Sequence, residues 1–486
     1  MGNRTETGVI VVGTGFSGLG MAIRLRKDGR DDFVVLEKAD DVGGTWRDNS
    51  YPGCACDIPS HMYSFSFEQN PGWSRAYSPQ PEIWRYLRGV TDKYDLRRNI
   101  RFGQELTGAR WDADENRWYV TTSSGDEFVA KALVAGVGAL HRPHIPHLPG
   151  IEKFDGPAFH SAQWNHDYDL TGKRVAVIGT GASAVQFVPE IAPEVAKLTL
   201  FQRTPPWVMP KADRDMPGWA RGLFKALPLA QRAYRDLLYW LLEARAIGFN
   251  GRPWLMKLGQ RIAKGNIDQA VSDPALRAKL TPDYTMGCKR VLISNDYYPA
   301  LARDNVDVVT DGVAEIREHS VVDAAGVEHE ADAIIYGTGF HVTDAFDNLE
   351  IIGREGRNLA KEWASEGMRT HLGITVNGFP NLFFLLGPNT GLGHNSVVFM
   401  IEAQISYIAQ ALRLADGRAL DPRAEVQEAF NTVVQRKLAK GVWTQGGCKS
   451  WYLDAKGVNR TLWPGFTWRY WLDTRTVRRE DYELLG

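Results

Sequence analysis

Val9-Ile10-Val11-Val12-Gly13-Thr14-Gly15-Phe16-Ser17-Gly18 decides how this 486-residue chain folds. A short apolar run ends in G-x-G-x-x-G, and a helix-like stretch from Leu19 to Arg26 follows. The pattern reads as strand, tight turn, helix. Gly13 lets the chain turn, Gly15 lets backbone N–H groups approach a pyrophosphate, and Gly18 lets the helix sit close on the strand. A second strand, Phe33-Val34-Val35-Leu36, ends in Glu37, 19 residues after Gly18. A carboxylate at that spacing accepts hydrogen bonds from ribose hydroxyls.

Arg174-Val175-Ala176-Val177-Ile178-Gly179-Thr180-Gly181-Ala182-Ser183-Ala184 repeats the pattern as G-x-G-x-x-A. Its following strand ends in Phe201-Gln202-Arg203-Thr204, and Arg203 lies 19 residues after Ala184. An acid at this place holds a ribose diol, whereas an arginine accommodates a 2′-phosphate. The first site therefore suits FAD and the second NADP. Two dinucleotide folds in one chain imply hydride traffic between nicotinamide and flavin. The fold class expected is α/β, with two Rossmann-like domains.

Composition is ordinary for a globular protein, with 44% hydrophobic and 24% charged residues. The net charge of −1 points to neither nucleic acid nor an anionic membrane surface as a partner. Four cysteines, Cys54, Cys56, Cys288 and Cys448, are too sparse for a disulfide framework, so free thiols in a reducing cytoplasm are expected. The N-terminus reaches a strand at once, so no signal peptide is expected. The uncharged stretch from His371 to Ile401 is broken by Asn377-Gly378, Pro380-Asn381 and Gly387-Pro388-Asn389, so no transmembrane segment is expected either.

Along the chain, Gly43 to Asp57 (GGTWRDNSYPGCACD) reads as a loop near the flavin end of the first cofactor. By itself Asp57 reads as a turn cap rather than a ligand contact, and Tyr63 as core rather than as a ring packed against the isoalloxazine. A helix is expected from Pro79 to about Asp92, and a hairpin from Arg110-Trp111 to Trp118–Thr122. Residues 141–153, with His141, Pro143, His144, Pro146, His147 and Pro149, form a stiff linker. The histidines lack a cysteine or carboxylate shell, so no metal is expected. His160 is either an acid–base or a hydrogen-bonding group in the domain connection, the latter being preferred.

Residues 217–284 read as a helical insertion; a membrane-surface role for its Leu/Tyr/Trp face is weighed against core packing, which is preferred. Lys289 and Arg290, before a β-branched run, point in opposite directions, one able to reach a phosphate and the other the flavin. The domain plan is 1–140 and 341–486 for FAD, and 154–216 and 285–340 for NADP.

The chain resembles the type I Baeyer–Villiger monooxygenases, class B flavoprotein monooxygenases. The most specific match is F-x-G-x-x-x-H-x-x-x-W, met by Phe154, Gly156, His160 and Trp164, although Asn165 stands where the family pattern has Pro or Asp. A second signature, G-G-x-W-x-x-x-x-[FY]-P-[GM]-x-x-x-D, is met by Gly43, Gly44, Trp46, Tyr51, Pro52, Gly53 and Asp57. The resemblance implies that Arg290 is the catalytic arginine and that Asp57, beside the flavin, holds it. It makes Lys289, Arg203 and Thr204 the NADP phosphate contacts. Trp451 is similar to the mobile tryptophan near the nicotinamide. Lys38, Gly44, Thr45, Trp46, Tyr63, Leu106, Ala182, Ser183 and Ser396 complete the implied cofactor-binding set. The implied reaction consumes NADPH and O₂ and converts a small ketone to an ester or lactone through a flavin C4a-peroxide.

Three rivals follow from the same residues. A sulfur- or nitrogen-oxygenating monooxygenase would use the same cofactors, although Phe or Tyr usually replaces Trp164 there. A disulfide reductase needs a C-x-x-C, and here Cys54 and Cys56 form C-x-C. A non-catalytic NADPH-binding regulator would not need the first loop and Glu37.

Overall fold

The computed structural model describes residues 3–250, 253–344, 346–347 and 349–486; residues 1–2, 251–252, 345 and 348 of the ranges given above lie outside it. Val9 to Val12 carry no charge and are buried on both faces, so they fall in the middle of a sheet. The strand Arg4–Val12 pairs in parallel with Phe33–Leu36 on one side and Glu127–Ala135 on the other. Ile100–Arg101 extends one edge in parallel. The hairpin forms as read: Leu106–Asp112 pairs antiparallel with Arg117–Thr122, which pairs with the start of Glu127–Ala135. Much later in the chain, Leu382–Phe384 adds a parallel strand to the end of Glu127–Ala135.

The second sheet is wholly parallel, in the order Val306–Val309, Lys197–Phe201, Arg174–Ile178, Ala333–Tyr336, Ala158–His160. Each of its three central strands is almost entirely buried, as parallel strands covered by helices must be. Gly287–Ser294 contributes less strand than its β-branched run suggests. Only Leu292–Ile293 is extended, paired with Val208–Met209, because Gly287 takes φ +94° and turns the chain before it.

Helices Gly218–Ala226, Pro228–Glu243, Ala246–Phe249, Met256–Ala270 and Pro274–Leu280 separate the two parts of that second unit. Asp273 caps the last of them by accepting from the Ala275 and Leu276 N–H groups at 2.9 and 3.2 Å. Two buried charges fasten Pro228–Glu243 to the first unit. Arg235 donates to the His61 and Ser64 carbonyls at 2.5 and 3.0 Å. Glu243 accepts from Asn395 Nδ2 at 2.7 Å and from the Thr467 N–H and hydroxyl at 2.5 and 2.9 Å. Burial alone would raise the Glu243 pKa, but His394, Asn395 and Thr467 bring it below the usual value.

Val397–Ala415 is long and apolar enough to cross a membrane, with 61% of that span buried in the fold. It lies against Phe16–Lys27, where a Cβ on Gly20 would come within 2.7 Å of Ile405.

The expectation of four free thiols fails for two of them. Cys288 and Cys448 form a disulfide across 160 residues of sequence, while Cys54 and Cys56 are free and buried. A pairing across so long an interval leaves no local signal, and the cysteine count gave none. Thiol titration of the denatured, unreduced protein is expected to find two thiols, rising to four after reduction. Four at the outset would mean that the pair is open.

Candidate active site

A cavity of about 1500 Å³ opens between the two nucleotide folds and the helical segment. Pockets for one small ligand are roughly 300–1000 Å³, so this one has room for more than one bound group. Thr45, Trp46, Asp57 and Tyr63 line it from the first unit; Gly179, Thr180, Gly181, Ala182, Ser183, Arg203, Thr204, Lys289 and Arg290 line it from the second. Trp451 lines it from the C-terminal part.

Arg290 reaches across the junction to Asp57. Its Nε and Nη2 both donate to Asp57 Oδ2, at 3.1 and 2.5 Å. The Asp57 charge holds the guanidinium well above its ordinary pKa, so it stays cationic at any working pH. Its side chain remains 38% exposed, which leaves donors facing the cavity. The backbone that carries it is fixed on both sides: the Leu292 N–H donates to the Trp207 carbonyl at 3.0 Å, and Cys288 is tied to Cys448. Tyr452, buried beside Trp451, lies close enough to feel the Arg290 charge.

Lys289 turns the other way. Its ammonium lies 5.2 Å from the Tyr284 ring centre, and burial and then the charge of Arg203 lower its pKa. Among the described residues neither Lys289 nor Arg203 has a carboxylate within 4.0 Å. The two neighbouring cations repel each other, the more distant Asp283 charge offsets this only in part, and a bound phosphate would reverse the repulsion. Beside them, Thr180 Oγ1 donates to the Thr204 carbonyl at 3.1 Å, which ties the glycine loop to the residue after Arg203. A Cβ on Gly179 would lie 2.4 Å from the Gly337 carbonyl oxygen, whereas on Gly181 the nearest atom would be 3.6 Å away. Gly179 therefore packs, Gly181 leaves space for a ligand, and Ala184 is buried beneath the loop.

The first loop shows the same division. A Cβ on Gly13 would meet the Gly136 carbonyl oxygen at 2.6 Å, and one on Gly18 would fall 1.8 Å from the Gly13 oxygen. Around Gly15 nothing comes nearer than the Gly44 Cα at 4.0 Å, while a Cβ on Gly44 would close that gap to 3.1 Å from Gly15. Bare backbone on both sides of a space is what a pyrophosphate requires, so these residues fit a flavin dinucleotide. Glu37 is buried and already engaged: it accepts from the Thr14 N–H at 3.0 Å, the Thr14 hydroxyl at 2.5 Å and the Ala39 N–H at 3.0 Å, and pairs with Arg47 at 3.0 Å. A ribose diol would share this carboxylate with Arg47.

Other expected residues sit away from the cavity wall. Gly13, Gly15, Gly18, Glu37, Lys38, Gly44, Leu106, Ala184 and Ser396 are not among its lining. Lys38 is exposed, and Leu106 is packed in the core with Leu36 and Val12. The Ser396 hydroxyl accepts the Val398 N–H at 3.3 Å and caps the helix Val397–Ala415. Tyr63 does line the cavity and accepts from Trp46 Nε1 at 3.2 Å.

His160 is buried, and its Nδ1 accepts the Ala162 N–H at 3.1 Å; burial lowers its pKa to about 4. Its Nε2 is buried without a hydrogen-bond partner among the described residues, and the ring packs edge-on against Phe340. Trp164 packs between Phe159 and Phe187. Sequence reasoning passed over Arg47, one residue beyond Trp46, and Gln186. The Gln186 side chain accepts from Tyr51 at 2.9 Å and donates to the Ala55 carbonyl at 2.9 Å, tying the second glycine-loop helix to the loop that carries Asp57. Arg47 could have been found from its place in the signature; Gln186 had no local signal.

Known proteins resemble the chain over its full length. Residues 6–226 match the family described as flavin-binding monooxygenase-like. A Baeyer–Villiger monooxygenase from Pseudomonas aeruginosa is 53% identical over 98% of this chain and 91% of its own length. One of the same name from Streptomyces coelicolor is 51% identical over 98% of this chain and 92% of its own. Among solved structures, cyclohexanone monooxygenase from Rhodococcus sp. Phi1 bound to NADP⁺ superposes with a TM-score of 0.90 at 29% identity, covering all of both chains. A steroid monooxygenase bound to NADP gives 0.88 at 31% identity, over 99% of this chain and 100% of its own.

Arg203→Ala is expected to raise the KM for NADPH and leave that for NADH nearly unchanged. A charge-assisted hydrogen bond contributes roughly 1.5–3 kcal/mol, about 10- to 150-fold in affinity. Equal losses with both cofactors, in parallel steady-state assays, would assign Arg203 to the fold instead.

Proposed function

Because the chain belongs to the flavin-binding monooxygenases of the Baeyer–Villiger type, we propose that it inserts one oxygen atom of O₂ beside a ketone carbonyl, giving an ester or lactone at the expense of NADPH. The observation that carries this reading is the Arg290 cation, held by Asp57 and facing a cavity whose other wall has the unpaired Lys289 and Arg203.

FAD, when bound, supplies the redox chemistry: it accepts hydride from NADPH and activates O₂. The chain's residues do the rest. Gly15 and Gly44 give the flavin pyrophosphate bare backbone, Gly13 and Gly18 pack the loop that carries it, and Glu37 takes its ribose. Gly181, Arg203, Thr204 and Lys289 hold the nicotinamide cofactor and read its 2′-phosphate, over a turn that Gly179 lets pack. Arg290 stabilises negative charge at the attacking oxygen and at the carbonyl oxygen, where a fixed cation in a closed site acts most strongly. Asp57 keeps that cation in place. Phe384, Leu385 and Leu386 make one wall apolar and keep water from the reacting atoms. Trp451 covers the nicotinamide side.

In this reading residues 1–140 and 341–486 bind FAD, 154–216 and 285–340 bind NADPH, and 141–153 and 217–284 are the linker and the insertion.

Incubating the FAD-loaded protein with NADPH, a cyclic ketone and ¹⁸O₂ tests the reading. The expected product is a lactone carrying one ¹⁸O, with one NADPH consumed per turnover. A sulfide converted under the same conditions while every ketone tried stays untouched would transfer the protein to the heteroatom-oxygenating branch.

A further inference from the structure

The helical insertion carries a surface that the reaction does not use. In Pro228–Glu243, Leu229, Leu237, Trp240 and Leu241 recur at helical spacing on one face; Leu229 and Trp240 are 71% and 60% exposed. The opposite face is spent on the core through Gln231, Arg235 and Leu242. Exposed Arg232 and Asp236 lie beside the stripe, and Arg245, past its end, lines the cavity. Gly218–Ala226 packs on the same helix through Phe224 and Tyr234, whose ring centres are 5.6 Å apart, and leaves Trp219 73% exposed. Further on, Trp254, Leu258 and Ile262 recur every fourth residue, all exposed, beside the exposed Lys257, Arg261 and Lys264. Residues 217–270 hold nine basic and three acidic residues, although the whole chain has a net charge of −1.

We propose that these exposed helix faces of the insertion dock on an anionic phospholipid bilayer, with tryptophan and leucine side chains at the headgroup boundary and the cations of Met256–Ala270 on lipid phosphates. Single exposed apolar residues are ordinary, but stripes of them on successive helices are not. Exposed Trp and Leu bordered by Lys and Arg are the composition of a helix that lies in a membrane interface. Charge decides the occupant. A second copy seated symmetrically on this face would set one basic excess against another, whereas an anionic leaflet neutralises it. The near-neutral charge of the whole chain, read above as arguing against an anionic membrane, averages this patch away. The same segment supplies Ala244, Arg245, Gly248 and Phe249 to the cavity wall, so docking brings the active site to the lipid.

Co-sedimentation of the FAD-loaded protein with vesicles tests the proposal, using phosphatidylcholine alone and phosphatidylcholine mixed with phosphatidylglycerol. Wild-type protein is expected to pellet with the mixed vesicles, to stay in solution with phosphatidylcholine alone, and to be released by salt. Lys257→Gln/Arg261→Gln/Lys264→Gln should weaken binding to the mixed vesicles by roughly 100-fold, at about fivefold per cation. Leu237→Ser/Trp240→Ser/Leu241→Ser should abolish it. Both variants should turn over a water-soluble ketone at the wild-type rate without vesicles, which establishes that fold and site are intact. Wild-type protein that ignores the mixed vesicles overturns the proposal, as does undiminished binding by the triple Gln variant. Sedimentation velocity gives the competing outcome: a wild-type dimer that the triple Ser variant splits, with no vesicle binding, would assign the face to a second copy.

Discussion

One ion pair closes the site. Asp57 comes from a loop of the first nucleotide fold and Arg290 from the second, 233 residues later. A cation placed between two cofactor sites must not wander to solvent or to a cofactor phosphate. The carboxylate takes two donors on one oxygen and leaves the rest of the guanidinium toward the cavity. Arginine suits this better than lysine, because its planar group can be held at one edge and still donate from another. Much of the surrounding structure fixes that geometry. Gln186 ties the Asp57 loop to the second fold, the Trp207 carbonyl holds the strand after Arg290, and Cys448 clamps the chain two residues before it.

The helical insertion depends on a similar economy. Its inner face is anchored by Arg235 and Glu243, buried charges whose partners are all long-range and which would be costly without them. Its outer face is apolar and basic at once. Adjacent cations in this chain thus have unequal roles. Arg290 is paired and fixed, Lys289 and Arg203 have no carboxylate within 4.0 Å among the described residues, and the exposed lysines and arginines of the insertion face outward.

What could be read from the sequence was whatever local backbone chemistry fixes. Gly13 and Gly18 in the first loop, and Gly179 in the second, were legible because each must be glycine for a neighbour no more than a few residues away or across one strand pair. The hairpin was legible as two β-prone runs flanking a turn. Lys289 and Arg290 were seen to diverge, but nothing local said which way. That answer lay in Asp57 and Arg203, brought near only by folding. Gln186, Glu243 and the Cys288–Cys448 pair were invisible for the same reason. Glu37 stands at the end of its strand as read, but its carboxylate is already engaged by Arg47 and by the backbone of its own loop, which its spacing did not reveal.

The Asp57-held guanidinium is expected to serve oxygen transfer more than flavin reduction. Losing one such preorganised donor costs roughly 10²- to 10³-fold in rate. Stopped-flow absorbance of FAD-loaded Arg290→Ala, followed by product analysis, tests this most directly. The flavin should still bleach with NADPH, while ester formation falls by at least that factor and hydrogen peroxide accumulates instead. Asp57→Ala should give a milder form of the same uncoupling. Arg290→Ala enzyme that bleaches and forms ester at wild-type rates would remove Arg290 from this role, and Lys289 would then be the cation to examine.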